Sequence, residues 1–288
     1  LVGSEMCIRD RYRSIRRLAD LGRQFAKGRF QEELFSLFQR LLLNEDGPYY
    51  EMLKQLVSSV DTDSLKTLGI NIGYNSWTCG ASRLRQITAE KDYPHWLAEI
   101  SLSPESSASQ LKEQLSAALK NGTYAFRLHM PAQSITTDTR QLGLIREFPD
   151  CSFFLDFMDT DCTYSDDLLE LTCSCDNLAF LVPFGSLQSR QLVDLLNARQ
   201  RIYGVCRTYD NTNAAERISD SQISEMLSWG SPLLFFLAAA DTTQDNRLLV
   251  DNAILDARLH QTYPALLIHL DADVARIQQL LLSSRKNL

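Results

Sequence analysis

A chain of 288 residues, 44% hydrophobic and 23% charged, carries enough apolar material for one large domain. Its net charge of −7 and pI near 5.2 argue against general affinity for nucleic-acid backbones or anionic membranes, which call for a basic surface. No apolar run approaches the roughly 20 residues that span a bilayer, and no signal-peptide layout is visible. The expectation is a cytoplasmic protein that takes a small-molecule or peptide ligand, with neither nucleic acid nor membrane as partner.

The opening "LVGSEMCIRDR", Leu1 to Arg11, resembles translated sequencing-adapter read-through at the ends of metagenomic gene models. Residues 1–12 are therefore expected to be artefact or disorder and carry no weight below. Arg13 to about Leu43 has apolar residues at helical spacing, and a second helix is expected from Tyr49 to Val60. Together, residues 13–64 read as an N-terminal helical cap. The arginines of the first helix read as a solvated face.

From residue 65 to 288 the chain alternates short apolar runs with amphipathic stretches. The strand candidates are "LGINIGY", "HWLAEISLS", "TYAFRLHMP", "CSFFLDFMD", "NLAFLVPFG", "RIYGVCRTY", "PLLFFLAAAD" and "ALLIHLDAD". Near-continuous apolar strands indicate burial on both faces, as in parallel sheets covered by helices. Helical spacing of Leu111, Leu115, Ala118 and Leu119, of Leu192, Leu195 and Leu196, and of Leu248, Leu255 and Leu259 supplies the covering faces. Eight such units predict an α/β fold, a (β/α)8-type parallel barrel preceded by two N-terminal helices, with an open doubly wound sheet as the alternative.

In such a barrel, function sits at the carboxyl ends of the strands. The polar residues placed there are Asn71, Tyr74, Asn75 and Ser76 after the first strand, Glu99 and Ser101 on the second, and Arg127 and His129 on the third. Further round come Asp156, Asp159 and Asp161, then Arg207 and Asp210, Asp241, and finally His269, Asp271 and Asp273. Arg127 and His129 are two apart and project to the same side. They read either as an anion-binding and acid/base pair or as a salt-bridge network with Asp156. The candidate catalytic residues are His129, Asp156 and His269; Tyr74, Asn75, Ser76, Glu99, Arg127, Arg207 and Asp241 are candidate ligand-binding residues.

A metal site from His129, Asp156, Asp241 and His269 would suit a divalent ion in residue type, but the spacing signatures of metal sites are missing, so none is assigned. The seven cysteines are an odd number and fit a reduced interior. Cys162 follows its strand whereas Cys151, Cys173 and Cys175 precede theirs, which separates them to opposite barrel ends. Asn75 or Ser76 could cap a helix, or form an anion-binding corner with its N-terminus.

The segment "LKTLGINIGYNSWTCGASRLRQ", Leu65 to Gln86, resembles the F-G-I-N-x-G-Y-N-S-x-x-x-G-A-x-x-I-R type found in radical S-adenosylmethionine-like proteins of anaerobic gut bacteria. "EFPDCSFFLDF", "RIYGVCRTYD" and "TYPALLIHLDAD" resemble later strand entries of that group, and the likeness extends from about Phe30 to Asp273. It implies a barrel, S-adenosylmethionine, and a [4Fe–4S] cluster held by C-x-x-x-C-x-x-C after the first strand. That spacing is absent here. The resemblance therefore implies a degenerate member or a fragment without its own cluster ligands, binding a peptide or small metabolite. The alternatives are a non-catalytic accessory barrel, and a hydrolase or lyase with acid/base residues at the strand ends.

Overall fold

The computed structural model describes residues 44–87, 94–102, 107–130, 139–157 and 172–283, with isolated positions 20, 32, 36, 39, 40 and 170. The first expected helix, the artefact segment, and Asp159, Asp161 and Cys162 lie outside the described residues or almost entirely so.

Among the described residues, seven strands form one parallel sheet in sequential order: β1 (Leu97–Ser101), β2 (Ala125–Met130), β3 (Ser152–Phe157), β4 (Leu178–Pro183), β5 (Tyr203–Tyr209), β6 (Leu233–Ala238) and β7 (Leu266–His269). β1 pairs with β2 alone and β7 with β6 alone, so the sheet curls into a half-barrel with two edges rather than closing. The α/β class holds, and the closed eight-stranded barrel does not.

The missing strand is "LGINIGY". The chain forms α1 (Pro48–Ser59), then α2 (Thr62–Ile70), which runs without a break into a π-helical segment (Asn71–Gly80) and α3 (Ala81–Ile87). Asp61 starts α2 by accepting hydrogen bonds from Asp63 N and Ser64 N at 3.0 Å, a strong N-cap arrangement. α2 spans residue 65, the expected cap–barrel boundary. Leu65 and Leu68 then join Leu56 and Val60 against Ala179 of β4 and Ile202 just before β5. Leu68, Asn71, Ser76 and Gly80 are buried, a spacing of three to five that belongs to a helix and not to the two-residue alternation of a half-exposed strand. Gly80 is needed for close approach: a Cβ there would lie 2.3 Å from the Gly122 carbonyl oxygen.

The convex face of the sheet holds the main core, with Phe126, Phe153, Leu155, Phe180, Val205, Leu234 and Phe236 all at 1% exposure or less. Full burial of such a side chain contributes roughly 1.5–3 kcal/mol. Covering this face are α4 (Ala108–Lys120), α5 (Thr139–Gly143) with a following 3₁₀ turn (Leu144–Glu147), α6 (Leu187–Ala198), α7 (Ala214–Arg217), α8 (Asp220–Leu227) and α9 (Gln244–His260). α4 opens with a complete capping box between Ser107 and Gln110. In α9 the buried residues are Val250, Asp251 and Ile254, while the expected Leu248, Leu255 and Leu259 are exposed, Leu259 at 78%. The helix turns its face so that Asp251 reaches partners inside.

The concave face is filled by helices. α10 (Leu270–Ser283) sets Leu270 and Val274 against Leu181, Cys206 and Phe235, and Leu281 against Trp96 and Leu97. Its residues also anchor the foot of β1: Gln278 Oε1 accepts from Trp96 N at 2.9 Å, and the Val274 carbonyl accepts from Trp96 Nε1 at 3.0 Å. α10 thus bridges from the end of β7 to the start of β1, across the opening that a closing strand would have filled.

Candidate functional site

Period-two alternation places Glu99, Arg127, His129 and Asp156 on the concave side near the carboxyl ends of β1, β2 and β3, where the register sets Glu99 beside Arg127 and His129 beside Asp156. Arg127 donates from Nε and Nη2 to Asp156 Oδ2 at 3.0 and 2.6 Å, and from Nη1 to Glu99 Oε1 at 2.9 Å. His129 Nε2 lies 3.4 Å from Glu99 Oε2. Its Nδ1 is 3.2 Å from Asp156 Oδ2, close enough for charge pairing but outside hydrogen-bond geometry. The side chains of Arg127 and Asp156 are each 7% exposed, whereas Glu99 is 53% exposed.

These contacts set the protonation states. His129 is raised to about 9, chiefly by its interaction with Asp156 and then with Glu99, against burial and the Arg127 charge. Glu99 is lowered to about 2, first by His129 and, with burial opposing, by Arg127. Burial opposes the Arg127 charge, and Asp156 and Glu99 more than offset it. At neutral pH His129 is therefore an imidazolium, and the cluster holds two adjacent cations. His129 in this state can give a proton or hold an anion; it cannot act as a base.

His269 belongs elsewhere. It is the last residue of β7 and faces the convex core, with Nε2 2.7 Å from the Tyr209 hydroxyl and Nδ1 3.3 Å from Asp251 Oδ1. Burial raises Tyr209 to about 12, so the phenol keeps its proton. Asp251 in turn pairs with Arg276 of α10. Sequence reasoning missed this Tyr209–His269–Asp251–Arg276 chain; the available signal was a carboxylate on the apolar stripe of α9. Asp271 and Asp273 are not strand residues but lie in the first turn of α10, Asp271 paired with Arg247 at 3.2 Å and Asp273 with Arg258 and Arg276.

The remaining candidates scatter. Arg207 projects to the convex side, its guanidinium 4.7 Å from the Phe184 ring centroid and 3.8 Å from Glu225. Asp241 is exposed in the loop after β6, and its carbonyl accepts from Nδ2 of Asn211 in the loop after β5. Asp210 caps its own turn through Thr212. Tyr74, Asn75 and Ser76 sit at the amino ends of the strands, opposite the expected mouth. Asn75 Nδ2 donates to the Asp150 carbonyl and to Asn71 Oδ1, Asn71 Nδ2 donates to the carbonyls of Pro149 and Cys151, and Ser76 Oγ to that of Trp96. These residues tie the helical segment to the loops entering β3 and β1. Neither Asn75 nor Ser76 caps a helix, because the helix runs through both.

The described residues do not fit a [4Fe–4S] cluster. No cysteine lies between Cys79 and Cys151, so the loop after β1 supplies no thiolate. Cys151, Cys173 and Cys175 are buried before β3 and β4, at the amino ends, and Cys206 is buried within β5. Burial pushes the Cys151 thiol up to about 12 and Cys206 well above its usual range, which disfavours the thiolate that a metal requires. Among the described residues no group of three or more His, Cys, Asp or Glu is arranged to hold a metal ion, and no helix is long and apolar enough to cross a membrane. A scan against protein-family models and a search of curated proteins returned no match.

Proposed function

We propose that this chain is a ligand-binding half-barrel related to the radical S-adenosylmethionine class, working without a cluster of its own, and that it takes an anionic group of a small metabolite or peptide at Arg127 and His129. The observation that carries this reading is the pair of adjacent cations two residues apart on β2, whose half-exposed counter-ion is Glu99 of β1 and whose buried one is Asp156 of β3. A carboxylate or phosphate on the ligand replaces Glu99, while Asp156 stays beneath as the fixed support. Charge-assisted hydrogen bonds to such a pair are the strong kind, and a guanidinium offers a bidentate geometry.

Titration calorimetry with acetate, citrate and inorganic phosphate tests this reading. Glu99→Gln, which removes the competing carboxylate, is expected to tighten anion binding several-fold, and Arg127→Gln to abolish it. Equal affinity in wild type and both variants would overturn the proposal. A second reading, a hydrolase or lyase, rests on the charged state of His129, which makes it a proton donor at neutral pH. In that case His129→Gln would abolish turnover while leaving ligand affinity largely intact.

A further inference from the structure

Arg207 of β5 points away from the cluster on β1, β2 and β3, into surroundings that leave its donors unmet. Its side chain is 13% exposed and lies on the convex side, where α7 and α8 follow the strand. Among the described residues Arg207 Nη1, Arg217 Nε and Gln222 Oε1 are buried without a hydrogen-bond partner. Buried polar atoms left unpaired in this way are rare in folded proteins and call for a group that satisfies them. The Glu225 carboxylate stands 3.8 Å from Arg207 Nη1, too far for a hydrogen bond, and is itself 57% exposed. Gln222 lies three residues before Glu225 on α8, which makes the two side chains neighbours on one face of that helix.

The two guanidiniums are also close enough to repel. Burial, and after it the charge of Arg217, lowers the Arg207 pKa, with Glu225 and Glu216 opposing. A like-charged pair, each member carrying a buried N–H without an acceptor, thus sits behind one half-exposed carboxylate that reaches neither. A bound oxyanion completes this arrangement, because its oxygens accept from both arginines and its charge cancels the repulsion.

An aromatic shelf adjoins the pair. The Arg207 guanidinium lies 4.7 Å from the Phe184 ring centroid, Phe184 packs on Trp229 at 4.5 Å, and Arg190 covers Trp229 at 5.7 Å. Phe184 and Trp229 are each partly exposed, and Leu187, the first residue of α6, is exposed at 71%. An anion carried on an aromatic ring gains contact here that a bare ion lacks.

We propose that Arg207 and Arg217 form a second anion site, on the opposite face of the sheet from Arg127 and His129, which takes a phosphate or carboxylate borne on an aromatic group. The oxyanion replaces Glu225, and the ring rests against Phe184 and Trp229. This does not rest on anion binding at Arg127 and His129, since it needs only the residues of β4, β5 and the helices that follow them.

The test titrates phenyl phosphate and benzoate into the full chain and follows tryptophan fluorescence, with Trp229→Phe as the control that assigns the signal. The expected result is quenching by one or both aryl anions, the tighter of the two telling phosphate from carboxylate, with inorganic phosphate at least tenfold weaker. Arg217→Gln is expected to weaken aryl-anion binding at least tenfold, and Glu225→Gln, which removes the competing carboxylate, to tighten it several-fold. If Arg217→Gln perturbs folding, Glu225→Gln carries the test alone, since that side chain is half-exposed and accepts no hydrogen bond from Arg207. Arg127→Gln is expected to leave the Trp229 response in place, so failure of either anion site shows separately. No quenching by either aryl anion would leave the orphan donors to water and overturn the proposal. So would affinity unchanged in the Arg217 and Glu225 variants, or inorganic phosphate binding as tightly as phenyl phosphate.

Discussion

Arg127→Met isolates the cost of breaking the polar cluster. The substitution leaves Asp156, whose side chain is 7% exposed, without the two hydrogen bonds of 2.6 and 3.0 Å that neutralise it. Removing one partner of a buried pair costs about 3–5 kcal/mol, because an uncompensated charge stays behind. The His129 imidazolium at 3.2 Å remains to share the Asp156 charge, which pulls the expectation to the low end, about 3 kcal/mol. For a chain of this size that is a fall in melting temperature of about 5 °C. Replacing both partners, Arg127→Met with Asp156→Leu, is expected to return stability to within about 1 kcal/mol of the parent, since apolar side chains of similar volume often substitute for a buried ion pair without loss. Urea unfolding of the parent, the two single variants and the double variant closes the cycle, with an expected coupling of at least about 2 kcal/mol, larger by whatever Asp156→Leu costs alone. Additive effects below about 1 kcal/mol per substitution would refute the reasoning, because they would mean that the pair is solvated and the cations are freely screened. A double variant as stable as the parent but unable to bind anions would locate the purpose of the charges in recognition.

The same cluster makes stability depend on pH in two windows. His129 has its pKa raised from 6.5 to about 9, so its contribution is complete below 6.5 and is lost as pH rises through 9. Glu99 is lowered from 4.5 to about 2, so its contribution is complete above 4.5 and is lost as pH falls toward 2. Urea midpoints are therefore expected to fall between pH 7 and 9.5 in the parent, and His129→Gln to flatten that limb; an unchanged limb would contradict the assignment. Gly80→Ala sets a methyl 2.3 Å from the Gly122 carbonyl oxygen and is expected to cost about 1–3 kcal/mol in chemical denaturation. Asn71→Ala leaves the Pro149 and Cys151 carbonyls without their side-chain donor, with an expected loss of about 1–3 kcal/mol in the same assay. Anaerobic iron–sulfide reconstitution is expected to yield no stable cluster; stoichiometric iron with a reducible paramagnetic signal would contradict the reading of the cysteines.

Where the sequence speaks plainly, burial decides a whole segment. "CSFFLDF" and "NLAFLVP" are apolar on both faces because helices cover one side of the sheet and α1, α2 and α10 occupy the other, so β3 and β4 show as continuous runs. Arg127 and His129 were legible as a pair because a strand repeats every two residues, and their meeting with Glu99 and Asp156 follows once the sheet is parallel and in order. "LGINIGY" misleads because a short apolar run fits a buried strand or a buried helix equally well. What settles it lies at a distance: Asn71 and Asn75 satisfy carbonyls near residue 150, a contact no local pattern announces. His269 was placed at the mouth because its face depends on the parity of β7, and four residues of strand ending directly in a helix hide that parity. Closure is likewise illegible, since it turns on α10 reaching Trp96 some 180 residues earlier in the chain.

The most direct test of the central claim is the ionisation of His129, followed by carbon- and nitrogen-edited NMR of its imidazole across pH 5 to 11, with and without inorganic phosphate. An imidazolium that persists to about pH 9, and further when phosphate is present, is the expected result, because a bound anion holds the proton that Asp156 and Glu99 already favour. Titration near the ordinary histidine value of about 6.5, unmoved by phosphate, would contradict the cationic pair and the anion site built on it.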